Sequence, residues 1–195
     1  MSRWSEDFEK TVSGIRSADP NQSMLDIFFV NPSYQPQNDQ ERQEFEEFSL
    51  ISSAMALMIH VAKADKIVQP EERQRIMDEM AFQLHQRHYE YNKLSEEFGV
   101  VERTIISNVF DRLIQDYENG TLDVDETVRI VNMIFQNNPY SRNFLIRLCY
   151  YSALSDRNLG EKEAELIDGL ATQLHIDKSD QIRIANEVRY EMRKV

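Results

Sequence analysis

Residues 152–163 read Ser152-Ala153-Leu154-Ser155-Asp156-Arg157-Asn158-Leu159-Gly160-Glu161-Lys162-Glu163, and this stretch decides the fold. A helix ends at a small residue, Asp156 opens a turn, and the aliphatic Leu159 plugs that turn three places later. Glu163 stands seven places after Asp156, in the first turn of the next helix. The unit is a helix–turn–helix. Upstream, Asn137-Asn138-Pro139 breaks one helix and a new one runs from about Tyr140 to Leu154. Downstream, helices run from Glu161 to Leu174 and from Lys178 towards Arg193, the last with Ile182, Ala185, Val188 and Met192 expected on its buried side.

The same periodicity extends towards the N-terminus. Asp123 and Glu126 have capping-box spacing ahead of Val128, Val131 and Ile134. Val101 to Tyr117 is a strong helix ended by Asn119-Gly120. Another is expected from Pro70, with Ile76, Met77, Met80 and Leu84 inward. A long helix starts near Gln40, with Phe45, Phe48, Ile51, Met55, Met58 and Ala62 along one face. Ahead of it, residues 1–40 form an extension: a short amphipathic helix, an apolar segment at Met24 to Val30 and a loop. The expected organisation is thus an N-terminal extension, 1–40, and a helical domain, 41–195. The fold class is all-α, a bundle of seven or eight helices containing two related helix–turn–helix units. Only five glycines and five prolines in 195 residues agree with that.

The second such unit appears earlier in the chain. Val61-Ala62-Lys63-Ala64-Asp65-Lys66-Ile67-Val68, followed by Glu72, repeats the pattern with Asp65, Val68 and Glu72 in the places of Asp156, Leu159 and Glu163. These paired motifs resemble the tellurite-resistance TerB-like family and the related N-terminal domain of DjlA-type DnaJ-like proteins, over roughly Glu41 to Glu187. The glycine that family places after the Asp is Lys66 in the first copy and Arg157 in the second. The resemblance implies an all-helical, non-catalytic module that binds a partner protein, a metal ion or both, in a stress response.

The resemblance also implies a metal reading of Asp65, Glu72, Asp156 and Glu163, with a divalent cation as the candidate cofactor; carboxylate oxygens suit hard cations such as Ca²⁺ or Mg²⁺. Each carboxylate also has a local reading. Asp accepts hydrogen bonds from turn N–H groups, and Glu at a third helical position closes a capping box and offsets the helix dipole. The segment Asp156-x-Asn158-x-Gly160 is not a calcium loop, because its twelfth position is Ile167 where a bidentate Glu is needed. His85 and His88 sit three apart near Glu90, without further ligands in view. His60 and His175 are isolated.

No catalytic constellation is present: no phosphate loop, no nucleophile elbow, no His-Glu-x-x-His. The chain is expected not to be an enzyme. Its single cysteine, Cys149, lies in an apolar run and reads as a small hydrophobe. The net charge of −12 repels phosphate backbones and argues against nucleic acid. No stretch approaches a membrane span, so a cytoplasmic protein with a protein partner is expected, and a homo-oligomer stays open.

Overall fold

The computed structural model describes residues 38–65, 73–74, 76–78, 98–154 and 159–193. Residues 1–37 of the expected 1–40 extension, the helix start at Pro70, both turn residues Lys66 and Arg157, and the His85/His88 pair lie outside them. Among the described residues every regular element is helical, as the periodicity predicts. In chain order they are α1 (Asp39–Ala62), a 3-10 turn (Lys63–Asp65), α2 (Phe98–Glu118), α3 (Val124–Ile134), α4 (Pro139–Ala153), α5 (Glu161–Gln173) and α6 (Lys178–Met192).

The chain divides into two compact units: Met1–Ile51 with Gln74–Leu122, and Ser52–Arg73 with Asp123–Val195. In the first unit, α2 turns Val109, Phe110 and Leu113 into the core. Arg112 and Asp116, one turn apart on the same helix, form a buried ion pair at 3.1 Å. The helix ends as Asn119-Gly120 predicts. Gly120 takes φ 71, the left-handed region where a side chain is penalised, and the N–H groups of Thr121 and Leu122 donate back to the Asp116 carbonyl.

The second unit contains the motif repeat. Its first segment is the end of α1, where Ala54 to Ile59 are all fully buried. The connections from α3 to α6 are short, and the starts of α3, α4 and α5 are chemically marked. Asp123 caps α3 by accepting from the Glu126 N–H at 2.9 Å. Glu126 does not reciprocate but pairs with Arg129. Asn138 caps α4 by accepting from the Ser141 N–H, with Pro139 at the first helical position. Caps of this kind are each worth about 1 kcal/mol. Leu145, Ile146, Leu148 and Cys149 of α4 are fully buried, at about 1.5–3 kcal/mol for a large aliphatic side chain. Helix α4 packs on both α5 and α6, and the 3-10 turn packs on α5.

One face differs from the sequence expectation. Helix α6 buries Gln181, Ile184, Ala185 and Val188, while Ile182 is 54% exposed and Met192 only half-buried. The stripe is rotated because Gln181 enters the core, its side-chain amide donating to the Tyr150 hydroxyl at 3.3 Å. A polar group so bonded loses little on burial.

Candidate functional site

The second motif is built around the start of α5. Gly160 occupies the N-cap with extended backbone, φ −62 and ψ 150. It has no side chain to cap the helix, so Glu163 reaches back. Its Oε2 accepts from the Gly160 N–H at 2.9 Å, and the residue is only 9% exposed. A Cβ on residue 160 would meet that oxygen at 3.0 Å, so glycine leaves room for the carboxylate. The local reading of Glu163 is therefore realised. Leu159, the plug of this turn, is half-buried.

Of the other motif acids, Asp65 closes the 3-10 turn that follows α1, and its side chain lies outside the described residues, as do Glu72 and Asp156 altogether. The fold brings the segment ending in Asp65 alongside α5, which carries Glu163. Among the described residues no three His, Cys, Asp or Glu side chains group as a metal site.

The far end of α5 is held by His175 and by two residues that the sequence did not single out, Asn132 and Arg142. His175 takes φ 56, and the Ile176 N–H donates back to the Ala171 carbonyl. The last carbonyls are then met from other helices. Asn132 of α3 donates its amide to the Gln173 carbonyl at 2.9 Å, and Arg142 of α4 donates to the Leu174 carbonyl at 3.1 Å.

Between α4 and α6 lies a second cluster missed in the sequence. Arg147 donates to Glu187 at 2.9 Å and to both oxygens of Glu191 at 2.5 and 2.7 Å. The Tyr151 hydroxyl also donates to Glu191, with the guanidinium 5.6 Å from the Tyr151 ring centre. Burial and the Glu191 hydrogen bond push the Tyr151 hydroxyl up to about 12. Glu187 is held below the usual carboxylate range, chiefly by its hydrogen bond from Arg183. This is a clamp between helices, since every polar end is already engaged. Cys149 is buried, and burial pushes its thiol up to about 12, which removes thiolate character at neutral pH. His60 is held below its ordinary value by burial, with the nearby Asp125 charge opposing.

Among the described residues, four large apolar side chains stay outside: Met133 (60% exposed), Tyr140 (84%), Ile182 (54%) and Tyr190 (62%). No helix among the described residues is long and apolar enough to cross a membrane.

The short, mutually packed helices and the Glu163 cap on α5 define an all-helical module. Residues 52–186 match the family described as tellurite resistance protein TerB, and the chain belongs to that family. No curated protein and no solved structure matches it.

Proposed function

We propose that this chain is a non-catalytic TerB-like module that binds another protein, with a role in stress response that rests on its family alone. The observation that supports the reading is the set of apolar side chains kept outside a well-packed helical unit. Met133 lies in the last turn of α3 and Tyr140 in the first turn of α4, and Tyr140 is 84% exposed. An aromatic ring of that kind brings a large contact area at low entropic cost, which protein interfaces use. The test is cross-linking of the full chain in cells, comparing wild type with Met133→Glu/Tyr140→Glu. A reproducible partner lost in the double variant, with its circular dichroism unchanged, supports the reading. Identical profiles for the two proteins reject it.

A second reading is a divalent cation held by Asp65, Glu72, Asp156 and Glu163. It is favoured by the packing of the Asp65-bearing turn on the helix that carries Glu163. Oxygen-only donors suit Ca²⁺ or Mg²⁺, and an ion that binds only the folded state raises its stability. Calorimetry with Ca²⁺, Mg²⁺, Mn²⁺ and Zn²⁺ on wild type and on Asp65→Asn/Asp156→Asn decides it. Equal heats and equal melting shifts remove the site.

A further inference from the structure

We infer that the outward face of α6 is a docking surface for an acidic, amphipathic helical segment of a partner protein. The inference rests on the protein-binding reading above and names the chemistry of the partner. Along α6 the exposed residues are Lys178, Ser179, Ile182, Arg183, Asn186, Arg189, Tyr190 and Arg193. At about 3.6 residues per turn, those from Ser179 to Arg193 fall within roughly 120° of the helix circumference and run for about 21 Å. Arg189, Ile182 and Arg193 line one side of that arc, and Tyr190 and Arg183 the other.

The arc carries three arginines and no carboxylate, in a chain whose net charge is −12. The acids of this helix lie on its flank and are already engaged. Asp180 pairs with Arg183, Glu187 with Arg183 and Arg147, and Glu191 with Arg147. Arg183 is thereby a rim residue. Arg189 and Arg193 have no ion pair among the described residues, and their planar forks match carboxylates in two-bond geometry. Ile182 at 54% and Tyr190 at 62% exposure supply apolar contact between the charges. A helix laying apolar residues at every third or fourth position along this arc, with Glu or Asp beside them, meets every one of these groups.

The charge distribution also selects against other occupants. Two copies paired about a two-fold axis through this face would set arginine against arginine, since such an interface uses the same patch on both subunits. Nucleic acid would meet three arginines here and a strongly anionic molecule around them.

The test uses the full chain and fluorescence anisotropy with three labelled probes. One is a synthetic helical peptide of about four turns with Leu at every third or fourth position and Glu beside each. The second replaces each Glu by Lys. The third is a single-stranded DNA oligonucleotide. Binding of the acidic peptide alone is expected, weakening as salt rises. The Arg189→Glu/Arg193→Glu variant is expected to bind it about tenfold or more weakly, and Tyr190→Ala about fivefold more weakly. Circular dichroism at the assay temperature should show each variant folded, with Arg189→Glu/Arg193→Glu melting slightly lower because it sets anions at a helix C-terminus. No binding of the acidic peptide, equal binding by the arginine variant, or equal binding of the lysine peptide or DNA overturns the inference. If the peptide fails while Met133→Glu/Tyr140→Glu still strips a partner in cells, only the assignment of this face falls. Failure of both removes the protein-binding reading as well.

Discussion

The side chain of Glu163 gives the sharpest test of how the second motif works. Its Oε2 accepts from the Gly160 N–H at 2.9 Å at a position only 9% exposed, and the N-cap residue has no side chain of its own to offer. Glu163→Ala leaves that N–H without its acceptor at a largely buried helix end. A hydrogen bond to a charged group contributes about 1.5–3 kcal/mol and a cap about 0.5–2 kcal/mol, so the expected loss is about 1–3 kcal/mol. For a chain of this size that lowers the melting temperature by about 2–4 °C per kcal/mol. Glu163→Gln keeps an acceptor of the same reach and gives up only the charge, so it should lose about 0.5–1 kcal/mol. Urea unfolding with an unchanged m-value measures both. If Glu163→Ala is as stable as wild type, the capping account is refuted. If Glu163→Gln is as damaged as Glu163→Ala, the negative charge matters more than the hydrogen bond, which is what a cation ligand requires.

Other outcomes follow from the same structure. His60 is held below its ordinary value of 6.5 by burial, so the unfolded chain binds the extra proton first. Its contribution is present above about pH 6.5 and is lost as pH falls below it, so wild type should lose stability on acidification more steeply than His60→Gln in pH-dependent urea titrations; parallel curves for the two proteins contradict this. Leu145, fully buried in α4, should cost about 2–5 kcal/mol as Leu145→Ala, whereas half-buried Leu159 should cost about 1–2 kcal/mol as Leu159→Ala; a reversed order in thermal melts is the adverse result. His175→Gly relieves a φ of 56 and should stabilise by about 0.5–1 kcal/mol; a destabilised variant would mean that the imidazole has a job the backbone does not reveal.

How far the fold was legible depended on whether the deciding interaction was local. Asp123, Asn138-Pro139 and Asn119-Gly120 mark helix ends through their own neighbours, and the helices start and stop there. The Glu163 cap was legible for the same reason, three residues from its donor. The Arg147 clamp was not, because Glu187 and Glu191 lie 40 and 44 residues away and nothing in the local pattern distinguishes Arg147 from a surface arginine. The buried face of α6 was misread because Gln181 occupies a core position and Ile182 an outward one, the reverse of their hydropathy; only the Tyr150 hydroxyl on another helix explains the exchange. His175 adopts a conformation usually marked by glycine, and the sequence shows no glycine there.

The interleaving of the two units has a consequence for how the protein is made. The second unit begins with Ser52–Arg73, yet its remaining residues start only at Asp123. All of Gln74–Leu122 must leave the ribosome first, and at about 5–20 residues per second that takes several seconds. During that interval the fully apolar stretch Ala54 to Ile59, destined to be wholly buried, is in the nascent chain before α3 to α6 exist. A newly made chain therefore carries this apolar segment for a period before the helices that bury it have been made. The same order means that no single cut yields the second unit by itself: the shortest continuous segment containing it runs from Ser52 to the last residue, with the intervening part of the first unit carried along.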